Sequence, residues 1–241
     1  VTDIGMNIYR HAQVMMNAAQ AAHDLVDHLS IQPRGVIKVS LPVSIAQNEI
    51  AKILPKFLKT YPEIKVQLIV SNRRVDIINE GIDVALRVRS NLDDDPNLVL
   101  RKFENIEQHL FASQAYLNEF GDLKQPEDLS DHQILSMSDE HLDQYIVVHD
   151  NKKQQKKIKV NPVVMGSDLM MLAQLARQNC GIVLLPDSIV QDYVQSGELV
   201  RVLPDWKAPH GIFHAVYPSR RGLLPAVRVF IDYLVEQLSK Y

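Results

Sequence analysis

The sequence predicts an α/β protein made of two strand-and-helix lobes joined by two crossover segments, and three observations lead there. Residues 36–89, VIKVSLPVSIAQNEIAKILPKFLKTYPEIKVQLIVSNRRVDIINEGIDVALRVR, alternate strand and helix patterns at the spacing of a parallel sheet. Further along, a helical pattern from Ser167 to Asn179 followed by an apolar strand from Ile182 to Leu185 makes another strand-helix-strand unit. Between the two sets lie the polar stretch RVRSNLDDDP at 87–96 and the proline-containing bend LPDWKAPHG at 203–211, which carry the chain across and back. Two such lobes enclose a cleft.

The elements follow in order. Residues 6–30 place Ile8, Ala12, Met15, Ala19, Ala22, Val26 and Leu29 three and four apart, giving a long helix with one apolar stripe. The stripe either packs on its own domain or pairs with a second copy; the helix lies outside the α/β pattern, so self-association is expected. It ends at Pro33-Arg34-Gly35, where proline disfavours helix at the preceding residue. Val36, Ile37, Val39 and Leu41 form the first strand, and Ile50, Ile53, Leu54, Phe57 and Leu58 recur at helical spacing. Val66, Leu68 and Val70 alternate as a strand, a short helix is expected from Val75 to Gly81, and a third strand runs from Val84 to Val88.

In the second set, strands are expected at 98–103, 108–112, 133–137, 145–149 and 157–165, the last two separated by a polar turn. The helix from Ser167 carries Leu169, Leu172, Ala173 and Ala176 on one face. A helix at 188–196, a strand at 199–203 and a closing helix with Val227, Phe230, Ile231, Leu234 and Leu238 complete the chain.

Composition narrows the function. The chain has 241 residues, of which 46% are hydrophobic, enough for one large domain or two smaller ones. A net charge of -3 provides no overall attraction to phosphate, so binding of nucleic acid by this polypeptide alone is not expected. The single cysteine, Cys180, excludes an internal disulfide and a thiolate metal cluster. No apolar run reaches the roughly 18 residues that span a bilayer, and the first residues lack the apolar core of a secretory signal. The expected location is the cytoplasm, with no membrane partner.

Gly35-Val-Ile-Lys-Val-Ser-Leu-Pro-Val-Ser44, Leu54-Pro-Lys-Phe57, Tyr61-Pro62, Arg74-Val-Asp-Ile77 and Glu80-Gly-Ile-Asp-Val-Ala-Leu-Arg87 form an ordered pattern. So do Leu110-Phe-Ala-Ser-Gln-Ala-Tyr-Leu117, Asp168 with its helix, Gly181-Ile-Val-Leu-Leu-Pro186, Gly197-Glu-Leu-Val200, Leu203-Pro-Asp-Trp206 and Val216-Tyr-Pro-Ser-Arg-Arg221. Together these segments resemble the effector-binding domain of LysR-type transcriptional regulators, over essentially the whole chain. The resemblance implies two Rossmann-like lobes joined by a two-strand hinge, in a fold like the type II periplasmic binding proteins, preceded by a dimerising helix. It divides the chain into 1–35 (end of the wing and linker helix), 36–105 and 212–241 (first lobe) and 106–211 (second lobe). It further implies a homodimer or homotetramer, DNA contact only through an N-terminal module absent from this chain, no cofactor, and a small organic effector, often aromatic or a carboxylate. The chain departs from the family at Ala46, where a Gly is common, and at Asn179-Cys-Gly181, where Gly-x-Gly is frequent; Asn tolerates the left-handed conformation that ends a helix.

Ligands of open α/β sheets bind outside the carboxyl ends of the strands, which directs attention to Pro42, Val43, Ser44, Ile45 and Ala46. Ser44-Ile-Ala-Gln47 fits a capping box, and a helix start there would attract a carboxylate; capping and ligand contact are compatible. Ser167 is the matching candidate in the second lobe, beside Asp168, whose charge would repel an anion, so a carboxylate is expected nearer Ser44. Arg89, Leu135, Ser136, Leu185 and Pro186 complete the expected effector site.

Catalytic and metal readings find little support. His210 and His214 are separated by Gly211 and preceded by Pro209, so they do not share a helix face, and His23 and His28 point different ways. Gly166-Ser167 lacks a nucleophile elbow. Cys180 follows a helix C-terminus, which disfavours a thiolate, and is expected to be a small buried filler. Asp93–Asp95 lacks the rest of a calcium loop, and the lysines at 152–159 read as a solvated hairpin end. The sequence thus points to a non-catalytic sensor. Its rivals are a solute-binding protein of a transport system, expected to be exported and monomeric, and a small α/β enzyme, which needs an acid-base pair that is not apparent.

Overall fold

Strand β1 (Gly35–Leu41) runs parallel to β2 (Ile64–Val70) along its whole length and to β3 (Val84–Arg89) through Val39 and Ser40. The computed structural model describes residues 2, 4–6, 8, 9, 11–16, 18, 33–73, 75–92, 97–137, 144–152, 154–218 and 224–238. The alternation of the sequence places Ile37, Val39 and Leu41 inward, all essentially inaccessible to solvent. Between β1 and β2 the chain forms α1 (Val43–Ile45), a π-helical turn (Ala46–Ile50) and α2 (Ala51–Thr60) as one continuous helical run.

The first sheet is completed by β4 (Leu98–Ile106) and, from the far end of the chain, by β13 (Gly211–Pro218), giving the order β2-β1-β3-β13-β4. β13 is antiparallel to both of its neighbours. The closing helix α6 (Pro225–Leu238) covers the sheet, and its Phe230 and Tyr233 meet Phe57 of α2 with ring centroids 5.1 and 5.2 Å apart. Tyr233 donates its hydroxyl to the Ile53 carbonyl at 2.7 Å. Each buried phenyl ring is worth about 3 kcal/mol or more against alanine.

The second lobe contains β5 (Gln108–Ala112), α3 (Gln114–Phe120), a 3₁₀ turn (Pro126–Asp131) and β6 (Ile134–Ser136). After a three-stranded excursion it continues with β9 (Pro162–Met165), α4 (Leu169–Arg177), β10 (Ile182–Pro186), α5 (Asp187–Gln195) and β11 (Val200–Val202). Its sheet has the order β11-β5-β10-β6-β9, with β10 and β6 parallel as the strand-helix-strand reading requires. β7 (Gln144–Asp150), β8 (Gln155–Val160) and β12 (Trp206–Lys207) form a separate sheet.

Three expectations need correction. The single strand expected at 157–165 is two strands in two sheets, because Pro162 lacks the N–H that would continue the β7–β8 ladder and serves instead as the first residue of β9. The expected helix from Val75 to Gly81 is a run of turns. There Asp76 accepts from the Asn79 backbone at 3.0 Å and from its side chain at 2.6 Å, and Glu80 accepts from the Asp76 N–H at 3.0 Å. Local side-chain bonds of this kind compete with a helix ladder, and Gly81 at φ 64° ends the segment. Trp206 and Lys207, expected in a bend, pair with β7.

The N-terminal residues described, 4–6, 8, 9, 11–16 and 18, are helical. Ile8, Ala12 and Met15 of the expected stripe are exposed, Met15 to 72%. Ala19, Ala22, Val26 and Leu29 lie outside the described residues.

Candidate functional site

A cavity of about 610 Å³ opens between the lobes, at the carboxyl ends of β1, β3 and β10. The first lobe contributes Pro42–Ile45 after β1, Asn48 and Glu49 from the π turn, and 88–90 at the end of β3; the second contributes Met137, 167–170 and 186–189. Its back wall is the hinge itself, the end of β4 and the start of β13. The two crossovers run side by side: Ala208 donates its N–H to the Gln108 carbonyl at 3.1 Å, and Lys207 pairs with Glu107 at 2.8 Å. Gly211 is required at the close approach, since a Cβ there would lie 2.6 Å from Val88 Cγ1.

Of the residues read from the sequence, Pro42, Val43, Ser44, Ile45, Arg89, Ser167, Asp168 and Pro186 line this cavity. Ala46, Leu135, Ser136 and Leu185 do not. Ala46 packs toward the first-lobe core, and Leu135 and Leu185 are buried in the second-lobe core. Ser136 donates to Gln144 Oε1 at 3.2 Å.

Neither serine caps its helix. The first helical run starts one residue early: Pro42, extended at φ -63° and ψ 152°, occupies the cap position without a side-chain bond, leaving Ser44 inside the first turn. The Val43 N–H is satisfied by Asn72 Oδ1 at 3.1 Å, and Asn48 donates to the Ser44 carbonyl at 3.0 Å. In the second lobe Asp168 is the cap, its Oδ1 accepting from the N–H groups of Met170 and Met171 at 2.9 and 3.2 Å. A carboxylate complements the helix dipole better than a hydroxyl does. Ser167 stands one residue earlier, and its carbonyl accepts from Asn72 Nδ2 at 2.7 Å. Asn72 therefore ties the first helical turn of one lobe to the helix start of the other.

Asn48, Glu49, Asn72, Glu104, Glu107, Gln108 and Asp187 also line the cavity and were not singled out from sequence. Asn72 follows the carboxyl end of β2, so the rule that selects Ser44 would have selected it. Glu49 stands on the π turn, a helical irregularity common at functional positions. Glu104 and Glu107 belong to the hinge, which the polar pattern put at 87–96 and the resemblance put between 105 and 106.

Among the described residues the lining is acidic, with Arg89 its one arginine and no lysine. Glu107 is held below the usual carboxylate range chiefly by its bond from Lys207. Asp187 accepts from Arg201 at 2.9 Å and contacts the buried His109 at 2.8 Å. Glu49 and Glu104 behave oppositely. Burial pushes both carboxyls up; Lys52 partly offsets this at Glu49, while the neighbouring charge of Glu49 adds to it at Glu104.

Other candidates are placed elsewhere. His214 is buried in the first-lobe sheet with Nδ1 2.9 Å from the Ile212 carbonyl, while His210 is exposed. Cys180 is half-buried against the second-lobe core rather than fully buried. Lys156 pairs with Glu127 at 2.8 Å beside the hairpin, and Lys157 sits over the Tyr145 ring. Among the described residues no group of three or more His, Cys, Asp or Glu is arranged to hold a metal ion, and no helix is long and apolar enough to cross a membrane. His23, His28 and Asp93–Asp95 lie outside the described residues.

The family model described as the LysR substrate binding domain matches residues 30–239. The chain belongs to this family. A transcriptional regulator of the helix-turn-helix type from Xanthomonas campestris pv. campestris is 30% identical over 242 residues, covering 99% of this chain and 70% of that protein. The solved regulatory domain of CrgA, a LysR-type transcriptional regulator from Neisseria meningitidis, superposes with a TM-score of 0.72 at 30% identity, covering 86% of this chain and all of that one. The regulatory domain of AphB from Vibrio vulnificus gives 0.67 at 28% identity, covering 85% and 98%. These neighbours place the LysR-family chain in the two-lobed fold of type II periplasmic binding proteins, as the resemblance implied.

Proposed function

We propose that this chain is the ligand-sensing and oligomerising part of a bacterial LysR-type transcriptional regulator, without catalytic activity and acting in the cytoplasm. A small organic effector binds between the lobe of residues 36–105 with 212–241 and the lobe of 106–211. The observation that carries the reading is the cavity at the strand ends, floored by the hinge and bridged by Asn72. A ligand touching both walls biases their relative arrangement to the extent that it binds one arrangement better. That shift passes to the N-terminal helix, whose apolar residues pair with a second copy, in a dimer or tetramer, and so to a DNA-binding module elsewhere in the whole regulator. The acidic lining supports an aromatic or otherwise apolar effector over an anionic one.

The test is a thermal-shift screen of small organic compounds against the chain and its Ser44→Trp variant, which places a bulky ring in the cavity beside the end of β1. A ligand of the native fold raises the midpoint by mass action, so hits should stabilise the parent and leave the variant unmoved. Equal stabilisation of both, or conversion of a hit into a product, ends the reading.

A further inference from the structure

Within the cleft reading just given, we propose that the effector carries a positive charge, an organic amine or guanidine seated between Glu49 and Glu104, with its apolar body against Ile45, Ile106 and Leu169. Four observations support this. Both carboxylates line the cavity, from the π turn and from β4 respectively. Neither has a hydrogen-bonding cation among the described residues; Lys52, the cation that partly offsets burial at Glu49, is exposed and outside the lining. The other acids are engaged: Glu107 with Lys207, Asp187 with Arg201 and His109, and Asp168 with the helix N–H groups. Against them, among the described residues, the lining offers Arg89 as its one basic side chain.

The physical argument is one of mutual relief. Two half-buried carboxylates that feel each other resist ionisation, and a cation between them removes the desolvation and the repulsion together. An anion entering the same space would add to both, with Arg89 to oppose it among the described residues. A neutral ligand would gain the apolar contacts and leave the acid pair uncompensated. The cavity's size suits a ligand of ordinary metabolite or drug dimensions, for which a few placed polar groups fix orientation.

The experiment uses the whole chain and three compounds of closely similar skeleton, 2-phenylethylamine, 2-phenylethanol and phenylacetate, with agmatine as an aliphatic dication. Affinities are measured by calorimetry at neutral pH in low and moderate salt. The amines should bind at least tenfold tighter than the alcohol and the acid, and more weakly as salt rises. Glu49→Gln and Glu104→Gln should each weaken the amines about tenfold, leave the alcohol unchanged, and retain a cooperative melt. Arg89→Gln should strengthen amine binding at least twofold. Preference for phenylacetate, abolished by Arg89→Gln, overturns the charge assignment while leaving the cleft reading intact. So does the absence of amine binding at millimolar concentration. Amine binding that Ser44→Trp does not weaken overturns the cleft reading beneath it.

Discussion

Gly181 sits where the second-lobe helix α4 hands the chain to β10, and its replacement by alanine has a cost that can be built up from geometry. A Cβ at 181 would lie 2.5 Å from the Gln133 carbonyl oxygen, 3.0 Å from its carbon and 3.2 Å from the Gln133 Cβ. To reach even 3.0 Å from the oxygen the segments must part by about 0.5 Å. That oxygen accepts the Ile182 N–H at 2.8 Å, so parting stretches the bond that seats β10 beside β6. The residue's φ of 145° adds strain that glycine alone avoids. Positive-φ strain of about 1–2 kcal/mol and overpacking of about 1–3 kcal/mol predict a loss of about 2–5 kcal/mol. Two controls separate the terms. Gly197 has φ 78° with nothing within 4 Å of a built Cβ, so Gly197→Ala carries the strain alone. Gly166 has neither feature, and Gly166→Ala should be neutral or stabilising by up to about 1 kcal/mol. Urea unfolding of the three variants should rank Gly181→Ala far below Gly197→Ala, with Gly166→Ala at or above the parent. A Gly181→Ala midpoint equivalent to within about 0.5 kcal/mol of Gly197→Ala would refute the steric argument.

Two further outcomes are expected. Asn72→Ala removes the bond to Ser167 that crosses between the lobes together with the bond from Val43 that anchors Asn72 in the first lobe; for exposed bonds this is about 1 kcal/mol in total, so the cleft should open more often. Amide exchange at Val43 should quicken about fivefold, and unchanged exchange with an unchanged radius of gyration would sink the bridging role. For Glu104→Gln the sign follows from a carboxyl raised above its ordinary 4.5 by burial and by Glu49. The stability associated with its protonated form is complete below pH 4.5 and is lost as pH rises through the raised value. The variant should therefore melt about 1–2 °C above the parent at pH 7, with the gap closing toward acid; a gap that widens on acidification contradicts the account.

Much of the architecture was legible because period-2 and period-3.6 patterns are strong in the strands and helices that line a core. Ile37, Val39 and Leu41 announce β1, and Val227, Phe230 and Leu234 announce the closing helix. What escaped reading depends on partners distant in sequence. The separate sheet of β7, β8 and β12 needs Trp206 and Lys207 to meet residues more than fifty positions earlier. The cavity wall that follows β1 was readable from the end of that strand. Leu135 and Leu185, expected at the site, do not reach this cavity because strands buried on both faces present no wall residue until they end, at Pro186 in the case of β10. The acids of the hinge look like ordinary surface glutamates until β4 and β13 are placed together.

The position of β13 between β3 and β4 governs the order in which the molecule can be made. The second lobe is one uninterrupted stretch and holds all of its strands before β13 has left the ribosome. The first lobe, although β1, β2 and β3 precede the second lobe, waits for residues 211–238 to fill the gap in its sheet and to bring Phe230 against Phe57. The second lobe can therefore complete its sheet before the first, and the cavity between them, which needs both, comes into being only once β13 is in place.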